Sequence, residues 1–223
     1  MARAGRKVER EPLSAERIEH TALDLIEREG MAAFSTRKLA AELGCEAMSI
    51  YHYFPSKGHL LDALVDRVVG TEMTVPEGDV RHWRPALEAA AREWRGLARR
   101  RPQFFNYLIM HRLNTPRALK WLNGMIGFMR RIGIGDEAAA RMFRVLGFYL
   151  AGALIEETAG YWRGHSTVAP VPEDVMQREY PSVVAAAPWF QEEQWEKTFE
   201  LGLKVILDGL ESMVERADHQ ARG

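Results

Sequence analysis

Apolar residues recur at intervals of three and four along almost the whole chain of 223 residues. That spacing places them on one face of an amphipathic helix, whereas the alternating runs that favour strands are short and scarce. The pattern therefore predicts an all-α fold. It predicts helices at about 15–29, 36–43, 47–54, 59–73, 82–100, 103–113, 116–132, 136–163 and 190–216.

Residues typical of helix starts and helix ends support the first three predicted helices. Ser14 and Ser35 each precede an apolar stripe and can accept hydrogen bonds from the N–H groups of a helix start. Gly30 and Gly44 stand where a helix ends, and Pro55 closes the third helix. We therefore expect three short helices to come first.

Helix length divides the chain into two parts, because short helices come first and long ones follow. We expect an arm with three basic and no acidic residues among its first eight, at 1–12, a three-helix domain at 13–70, and a larger helical domain at 71–218. The helix at 59–73 belongs to both parts and should link them. Residues 164–188, rich in Pro, Gly and Ala, read as a loop.

The second and third helices have the spacing of a helix-turn-helix. That motif needs a small residue where the helices cross, a residue that can adopt a left-handed turn, and a branched apolar residue on the second helix. Ala40, Gly44 and Ile50 supply these three. A helical hairpin without any role in binding DNA has the same spacing, so the spacing alone leaves both interpretations open.

Three rings at Tyr51, His52 and Tyr53 favour a helix-turn-helix over a helical hairpin without a binding role. If Ile50 and Phe54 face the core, the rings lie on the exposed face and its flanks. Together with the basic residues nearby, they offer hydrogen-bond donors to phosphates and base edges. The motif is therefore expected to bind double-stranded DNA.

Composition narrows the class of protein but does not identify it. The 30 basic and 31 acidic residues give a net charge of −1, so only the local distribution of charge supports binding to nucleic acid. A single cysteine excludes an internal disulfide framework. The longest nearly uncharged run, 145–155, is shorter than a bilayer span of about 20 residues. We expect a soluble cytoplasmic protein that does not bind membranes.

The segment 14–69 closely resembles the DNA-binding domain of the tetracycline-repressor (TetR) family of bacterial transcription regulators. The resemblance rests on TRKLAAELG, MSIYHYFPSK and HLLDAL, and above all on the ending Tyr51-x-Tyr53-Phe54-x-x-Lys57. LAGALIEE and the terminal FELGLKVILDGLESMV look like the ligand-binding and dimerisation half of the same family. The resemblance implies a repressor that binds a palindromic operator as a homodimer and is released by a small hydrophobic or aromatic effector.

Site residues follow from the resemblance position by position. It implies that DNA is contacted by Thr36, Arg37, Ala47, Met48, Ser49, Tyr51, His52, Tyr53 and Lys57, with Tyr53 and Lys57 on phosphates. The family builds its effector cavity between the long helices. The residues expected to line it are Tyr107, His111, Trp121, Met125, Phe128, Tyr149 and Glu156, although each ring is also suited to a packed core.

Metal and cofactor are not expected. In the tetracycline-binding members a magnesium ion, helped by a histidine, accompanies the drug. His111 lies near the comparable stretch, but Met125 stands where those members carry an amide side chain, which argues against tetracycline itself. A lone histidine on an apolar face is more often a hydrogen-bonded core residue than a metal ligand.

The last helix has a broad apolar face and two glycines, Gly202 and Gly209, seven residues apart. With the apolar run of the preceding long helix it suggests a four-helix interface between two subunits. The expected interface residues are Phe199, Leu203, Ile206 and Leu210. The alternative is that the same face packs within one subunit.

Two other functions compete with a transcription regulator. An enzyme would need a phosphate-binding glycine loop, a paired metal motif or a nucleophile elbow, and the sequence has none of these motifs. A helical adaptor that binds protein through its short helices is the second alternative. Arg37, Tyr53 and Lys57 suit phosphate better than a protein groove.

Overall fold

The computed structural model describes residues 12–159 and 168–222, with the backbone alone described at 218 and 220–222. The expected basic arm and the end of the helix predicted to reach 163 thus fall outside the described residues. The described chain is all-α, as predicted. Its helices are α1 Ala15–Glu29, α2 Thr36–Leu43, α3 Ala47–Tyr51, α4 Lys57–Glu72, α5 Trp83–Arg100, α6 Pro102–Met110, α7 Pro116–Arg131, α8 Asp136–Ala159, α9 Glu173–Glu179, α10 Pro181–Ala186 and α11 Trp195–Arg222.

Helices α1–α4 form the head of the molecule. The predicted caps are confirmed, because Ser14 Oγ accepts from the N–H of Arg17 at 3.1 Å and Ser35 Oγ accepts from the N–H of Lys38 at 3.3 Å. Each helix contributes a completely buried side chain to a shared core, namely Ile18, Leu39, Ile50 and Leu60. This core fixes α2 and α3 relative to each other.

Two boundaries in the head were predicted wrongly. Helix α3 ends at Tyr51 rather than Phe54, because the N–H groups of Tyr53 and Phe54 both turn back to the carbonyl of Ile50. Helix α4 begins at Lys57 rather than His59, because Ser56 Oγ accepts from the N–H of His59 and caps it.

Helices α5–α11 form the body, and its boundaries also differ from the predictions. Helix α6 ends at Met110, since His111 adopts an extended conformation. The loop predicted at 164–188 contains α9 and α10, which follow Pro172 and begin at Pro181 respectively. Helix α11 begins at Trp195 instead of 190, because residues 187–194 form two short 3₁₀ turns.

Carboxylates of the head cap two helices of the body. Glu27 of α1 accepts from the N–H groups of Gln103 and Phe104 at 3.1 and 2.9 Å, at the start of α6. Asp66 of α4 accepts from the N–H of Arg117 at 2.7 Å, at the start of α7. The predicted link through α4 is confirmed, and α1 provides a second one.

A buried arginine ties three helices of the body together. Arg95 of α5 is 4% exposed and donates from Nε to Glu157 of α8 at 2.8 Å and from Nη1 to Glu196 of α11 at 2.6 Å. Its guanidinium also lies 4.6 Å from the centre of the Phe199 ring. Burial makes each of these pairings hard to replace by water.

Replacing Arg95 by Met should destabilise the body more than removing an exposed arginine does. The carboxylate of Glu157, whose side chain is 9% exposed, would lose its buried partner and keep Arg99, so the cost should approach but not exceed the roughly 3–5 kcal/mol of a fully broken buried pair. Arg92→Met is the matched control on α5, because Arg92 and Glu200 are 49% and 37% exposed and such a pair contributes about 1 kcal/mol or less. Urea unfolding at one fixed protein concentration measures both variants, and equal midpoints would contradict the prediction.

Candidate functional site

The turn between α2 and α3 has the geometry that the sequence predicts. Gly44 adopts φ 66° and ψ 36°, a left-handed conformation that a side chain disfavours. Ala40 is 4% exposed and Ile50 is fully buried, so a small residue and a branched one fill the crossing. The two helices therefore form a rigid helix-turn-helix.

One face of this unit carries exposed polar and apolar side chains from both helices. Arg37 and His52 are exposed and have no hydrogen bond or ion pair with a residue in 12–159 or 168–222, while Met48 is 64% exposed. Tyr51 is 36% exposed, and its hydroxyl lies 3.0 Å from Thr36 Oγ1. The contact between Thr36 and Tyr51 brings the start of α2 to the end of α3, and Arg37 and His52 are the next residues along the chain.

The other members of that set lie at the margins of this surface. Ala47 and Ser49 are half-buried, and Ala47 packs against the core. Both sit in the first turn of α3, beside Met48. They shape the surface more than they extend from it.

Tyr53 and Lys57 already have partners inside the head. Tyr53 donates its hydroxyl proton to the carbonyl of Leu13 at 2.7 Å, so it has no free O–H for a phosphate in this structure. Lys57 Nζ donates to the carbonyl of Phe34 at 2.8 Å and lies 5.2 Å from the Phe34 ring centre. An ammonium has three donors, so Lys57 keeps the capacity to bind a phosphate.

The neighbouring basic residues of the head are neutralised by acids. Arg28 binds Glu42 with two hydrogen bonds, at 3.2 and 2.8 Å, and Lys38 binds Glu29 at 2.7 Å. The Arg28 hydrogen bonds raise the pKa of that guanidinium, and the Lys38 hydrogen bond lowers the pKa of Glu29. Arg37 therefore stands out on α2 as a cation without such a partner among the described residues.

The predicted effector-binding residues do not converge on one site. Trp121 and Met125 line an apolar cavity of about 70 Å³, whereas Tyr149 and Glu156 line a separate groove of about 250 Å³ between α8 and α11. Phe128 is 1% exposed and packs in the core, outside both spaces. Tyr149, Glu156 and Phe128 thus lie outside the apolar cavity in the single chain, and their part in binding an effector stays a prediction.

The direction of the Tyr149 side chain on α8 explains why this residue lies outside the apolar cavity. Its ring points toward α11, where the hydroxyl donates to the carbonyl of Phe199 at 2.6 Å. Burial raises the pKa of Tyr149, so the phenol stays protonated and keeps donating. A side chain at Gly202 would meet the Tyr149 ring at 2.5 Å, which shows why that position of α11 lacks one.

The apolar cavity lies between α5, α7 and α8. Sequence reasoning missed most of its wall, although the adjacent pair Ala90 and Ala91, one turn before Trp94, signals space on α5. Every lining side chain is apolar or aromatic, and the full wall is Ala90, Ala91, Trp94, Leu113, Trp121, Met125, Phe143, Leu146, Gly147 and Leu150. Such a wall suits a flat apolar or aromatic molecule.

Tyr107 and His111 form a third location, at the end of α6. Their rings stack with centres 5.2 Å apart, and His111 Nε2 lies 3.2 Å from a carboxylate oxygen of Asp62 on α4. Burial, and then the charge of Asp62, raise the pKa of Tyr107. His111 therefore joins the body to the head, and no group of three or more His, Cys, Asp or Glu side chains suited to a metal occurs within the described ranges.

The predicted dimer-interface residues point into their own subunit. Phe199, Leu203 and Leu210 are at most 3% exposed in the single chain, and Ile206 is half-buried. The physical reason is that α11 has two apolar faces and the broader one packs on α8 and α5. The exposed apolar residues of α8 and α11 are Val145, Phe148, Ile155, Leu201 and Val205.

Helix α8 shows the same excess of apolar surface. Among the described residues it is the helix long and apolar enough to span a bilayer by length and composition, with a mean hydropathy of 1.4. Only 22% of its most apolar 18-residue stretch is buried in the single chain. Because α8 lies beside the exposed face of α11, a second subunit can cover both helices.

Comparison with known families decides the identity of this architecture. The family model described as tetracyclin repressor-like, C-terminal domain, matches residues 75–214, and the model for bacterial regulatory proteins of the tetR family matches residues 18–64. The chain belongs to the TetR family. It is a DNA-binding transcriptional regulator and not an enzyme, which confirms the interpretation of the α2–α3 unit.

Curated TetR-family proteins cover most of the chain. The HTH-type transcriptional repressor DrrR1 of Streptomyces coeruleorubidus is 30% identical over 229 residues, which span 94% of this chain and 83% of that protein. The tetracycline repressor protein class A from transposon 1721 of Escherichia coli is 31% identical over 195 residues, 85% of this chain and 86% of that repressor.

A solved structure shares the whole architecture. ActR of Streptomyces coelicolor in complex with actinorhodin superposes with a TM-score of 0.73 at 27% identity, covering 92% of this chain and 99% of that one. TetR-family regulators bind DNA operators and small-molecule effectors as dimers, so the expected classes of partner are confirmed.

A charge on the outer face of α11 should separate the subunits. Val205 is 62% exposed, so Val205→Glu leaves the single chain intact but places a carboxylate in the apolar face it shares with α8. Leu203→Glu is the contrasting variant, because Leu203 is 1% exposed and a buried charge there should unfold the body. Sedimentation should show a folded monomer for the first and thermal melting a lost transition for the second. A dimeric Val205→Glu protein would contradict this interface.

Proposed function

We propose that this protein represses transcription by binding an inverted-repeat operator as a homodimer in the cytoplasm. It leaves the operator when a flat apolar or aromatic molecule occupies the cavity between α5, α7 and α8. The observation that carries the DNA half of the proposal is Arg37. It is an exposed cation on the first helix of a helix-turn-helix, without an internal partner among the described residues, and the exposed His52 directly follows the second helix.

Each exposed residue has a role suited to its chemistry. The guanidinium of Arg37 can donate two parallel hydrogen bonds to a guanine, and His52 can donate to or accept from a base edge. Met48 and Ala47 can meet thymine methyl groups. Thr36, Tyr51 and Ser49 offer hydroxyls at the same surface, and Lys57 offers its remaining ammonium donors to a phosphate.

The apolar wall of the cavity supports the class of effector. Trp94, Trp121 and Phe143 present ring surfaces, and no charged or polar side chain lines the space. ActR, which shares 27% identity with this chain, has been solved with actinorhodin bound. Actinorhodin is therefore the first compound to test, in a thermal-shift screen where a ligand of the folded state raises the melting temperature.

Selection of duplexes from a random pool by the full-length chain tests the proposal directly. It should enrich an inverted repeat whose half-sites lie about one turn, roughly 34 Å, or somewhat more, apart, because two-fold protein symmetry requires symmetry in the site. Adding a compound that raises the melting temperature should then release the duplex. Enrichment of no sequence would contradict the DNA half, and a bound compound that leaves the complex intact would contradict the effector half.

Arg37→Ala should weaken binding to the selected operator and change base preference. Loss of a bidentate contact costs about 1–3 kcal/mol and relaxes specificity at the contacted base pair. Lys38→Ala is the matched control, because Lys38 is the next residue of α2 but its ammonium is bound to Glu29. Fluorescence anisotropy with operator and scrambled duplexes measures both variants. Equal losses for Arg37→Ala and Lys38→Ala would show that α2 is misassigned.

Ala91→Leu should block the effector and leave operator affinity unchanged. Ala91 is 1% exposed and lines the cavity, so a larger side chain there takes up space inside it. Ala89→Leu is the matched control, because it makes the same exchange on α5 at an exposed position outside the cavity wall. Calorimetry with the compound found by thermal shift should show affinity falling at least about tenfold, or 1.4 kcal/mol, for Ala91→Leu alone. Unchanged affinity in Ala91→Leu would place the effector elsewhere.

A further inference from the structure

Two spaces in the body share one side chain as a wall. Trp121 lines the apolar cavity of about 70 Å³, and it also lines an outer groove of about 890 Å³ between the end of α4 and α7. The indole is 5% exposed, and its ring centre lies 5.7 Å from that of Trp94 and 6.1 Å from that of Phe143. Trp121 therefore separates the cavity from the groove.

A hydrogen bond holds the indole in this position. Trp121 Nε1 donates to the carbonyl of Thr74 at 3.1 Å, two residues beyond the last residue of α4. Thr74 is in turn fixed to α5, because both its N–H and its hydroxyl donate to one oxygen of Glu93, at 2.9 and 2.7 Å. The orientation of Trp121 is thus tied to the chain that leaves α4.

Two further residues of α7, one turn before and one turn after Trp121, also contact the end of α4 or the segment that follows it. One turn before it, Arg117 packs on Gly70 of α4, where a Cβ would lie 2.5 Å from the arginine side chain. One turn after it, Gly124 lies under Val75, and a Cβ would meet that side chain at 2.8 Å. Positions 117, 121 and 124 therefore all bear on the end of α4 and the segment that follows it.

The size of the cavity requires the wall to move. Pockets that hold drug-sized ligands measure roughly 300–1,000 Å³, several times the space now enclosed. Every other residue of the cavity wall lies outside the lining of the outer groove. Trp121 is thus the one residue common to the two linings, and its displacement would join the two spaces.

We propose that Trp121 is a gate that an effector displaces to enter the cavity, and that the displacement breaks the bond to Thr74 and frees the end of α4. The proposal rests on the proposed function in taking this cavity as the effector site. Trp121 then selects ligands by size, and it is a positioning residue for the head because it acts on α4 through Thr74. The closed state also reduces apparent affinity, since only the open fraction can bind.

Stopped-flow binding of N-phenyl-1-naphthylamine, a neutral flat aromatic dye, to the full-length chain without DNA tests the gate. Trp121→Ala should raise the association rate and the affinity at least roughly tenfold, because removing the gate removes the closed state. Trp121→Phe keeps a ring but no donor and should give an intermediate rate. Trp83→Phe is the matched control, because Trp83 is also buried but lines neither the cavity nor the groove, and its rate should stay near that of the wild type.

Hydrogen exchange measures the link to α4. Saturating dye should speed amide exchange in residues 73–77 of the wild type, whereas Trp121→Phe should exchange fast there even without dye. Equal association rates for wild type and Trp121→Ala, binding to none of the variants, or slower exchange at 73–77 with dye would each overturn the proposal. Circular dichroism checks that Trp121→Ala is folded, and if it is not, Trp121→Phe against Trp83→Phe decides by the same two measurements.

These experiments distinguish a failure of the gate from a failure of the proposed function. The dye and exchange measurements use no operator, so a working gate in a protein whose DNA complex ignores the effector would overturn the proposed function alone. Release of operator by an effector with no change at 73–77 would overturn the gate alone.

Discussion

The first N–H groups of a helix need acceptors, and two helices of the body obtain them from the head. Helices α6 and α7 begin at Pro102 and Pro116, and neither has a side-chain hydrogen bond from its own preceding residue. Glu27 and Asp66 supply the missing acceptors from α1 and α4. The position of the DNA-binding unit is therefore set by the backbone of the effector domain, and a tilt of one without the other would separate these N–H groups from their carboxylate partners.

This constraint makes α1 and α4 move as one body. They are joined further by Arg67 of α4, which donates to Glu19 of α1 at 3.1 Å. An effector that shifts the start of α7 or the end of α4 therefore acts on the whole head rather than on one helix. Coupling of about 1–3 kcal/mol already changes DNA affinity by roughly 5- to 150-fold, and rearrangement of a few such hydrogen bonds is of that size.

The sequence predicted well those features that depend on neighbouring residues alone, such as helix caps and turns. Ser14, Ser35 and Gly44 each act within a few residues of their own position, and the head follows from them almost completely. There are two exceptions. The end of α3 was predicted at Phe54 instead of Tyr51, and the cap at Ser56 was missed because the Lys-Gly pair that follows it does not mark a helix start.

Features that depend on contacts between distant helices were not predictable in the same way. Helix α11 carries two apolar faces, and periodicity identified only the broader one. It did not show that Leu203 and Leu210 on that face turn inward, whereas Leu201 and Val205 turn outward. Tyr149 was assigned to the cavity because it lies among apolar residues of α8. Its direction depends on the absence of a side chain at Gly202, 53 positions along the chain, which no local pattern reveals.

The bond between Tyr53 and Leu13 also determines where the chain enters the head. Leu13 is held 2.7 Å from a hydroxyl only two residues beyond the end of α3. Leu13 directly precedes Ser14, the residue that caps α1. One O–H group thus joins the start of α1 to the turn after α3, two places that lie 40 positions apart along the chain. The first and third helices of the head are therefore held together by a polar bond at their ends as well as by the apolar core between them.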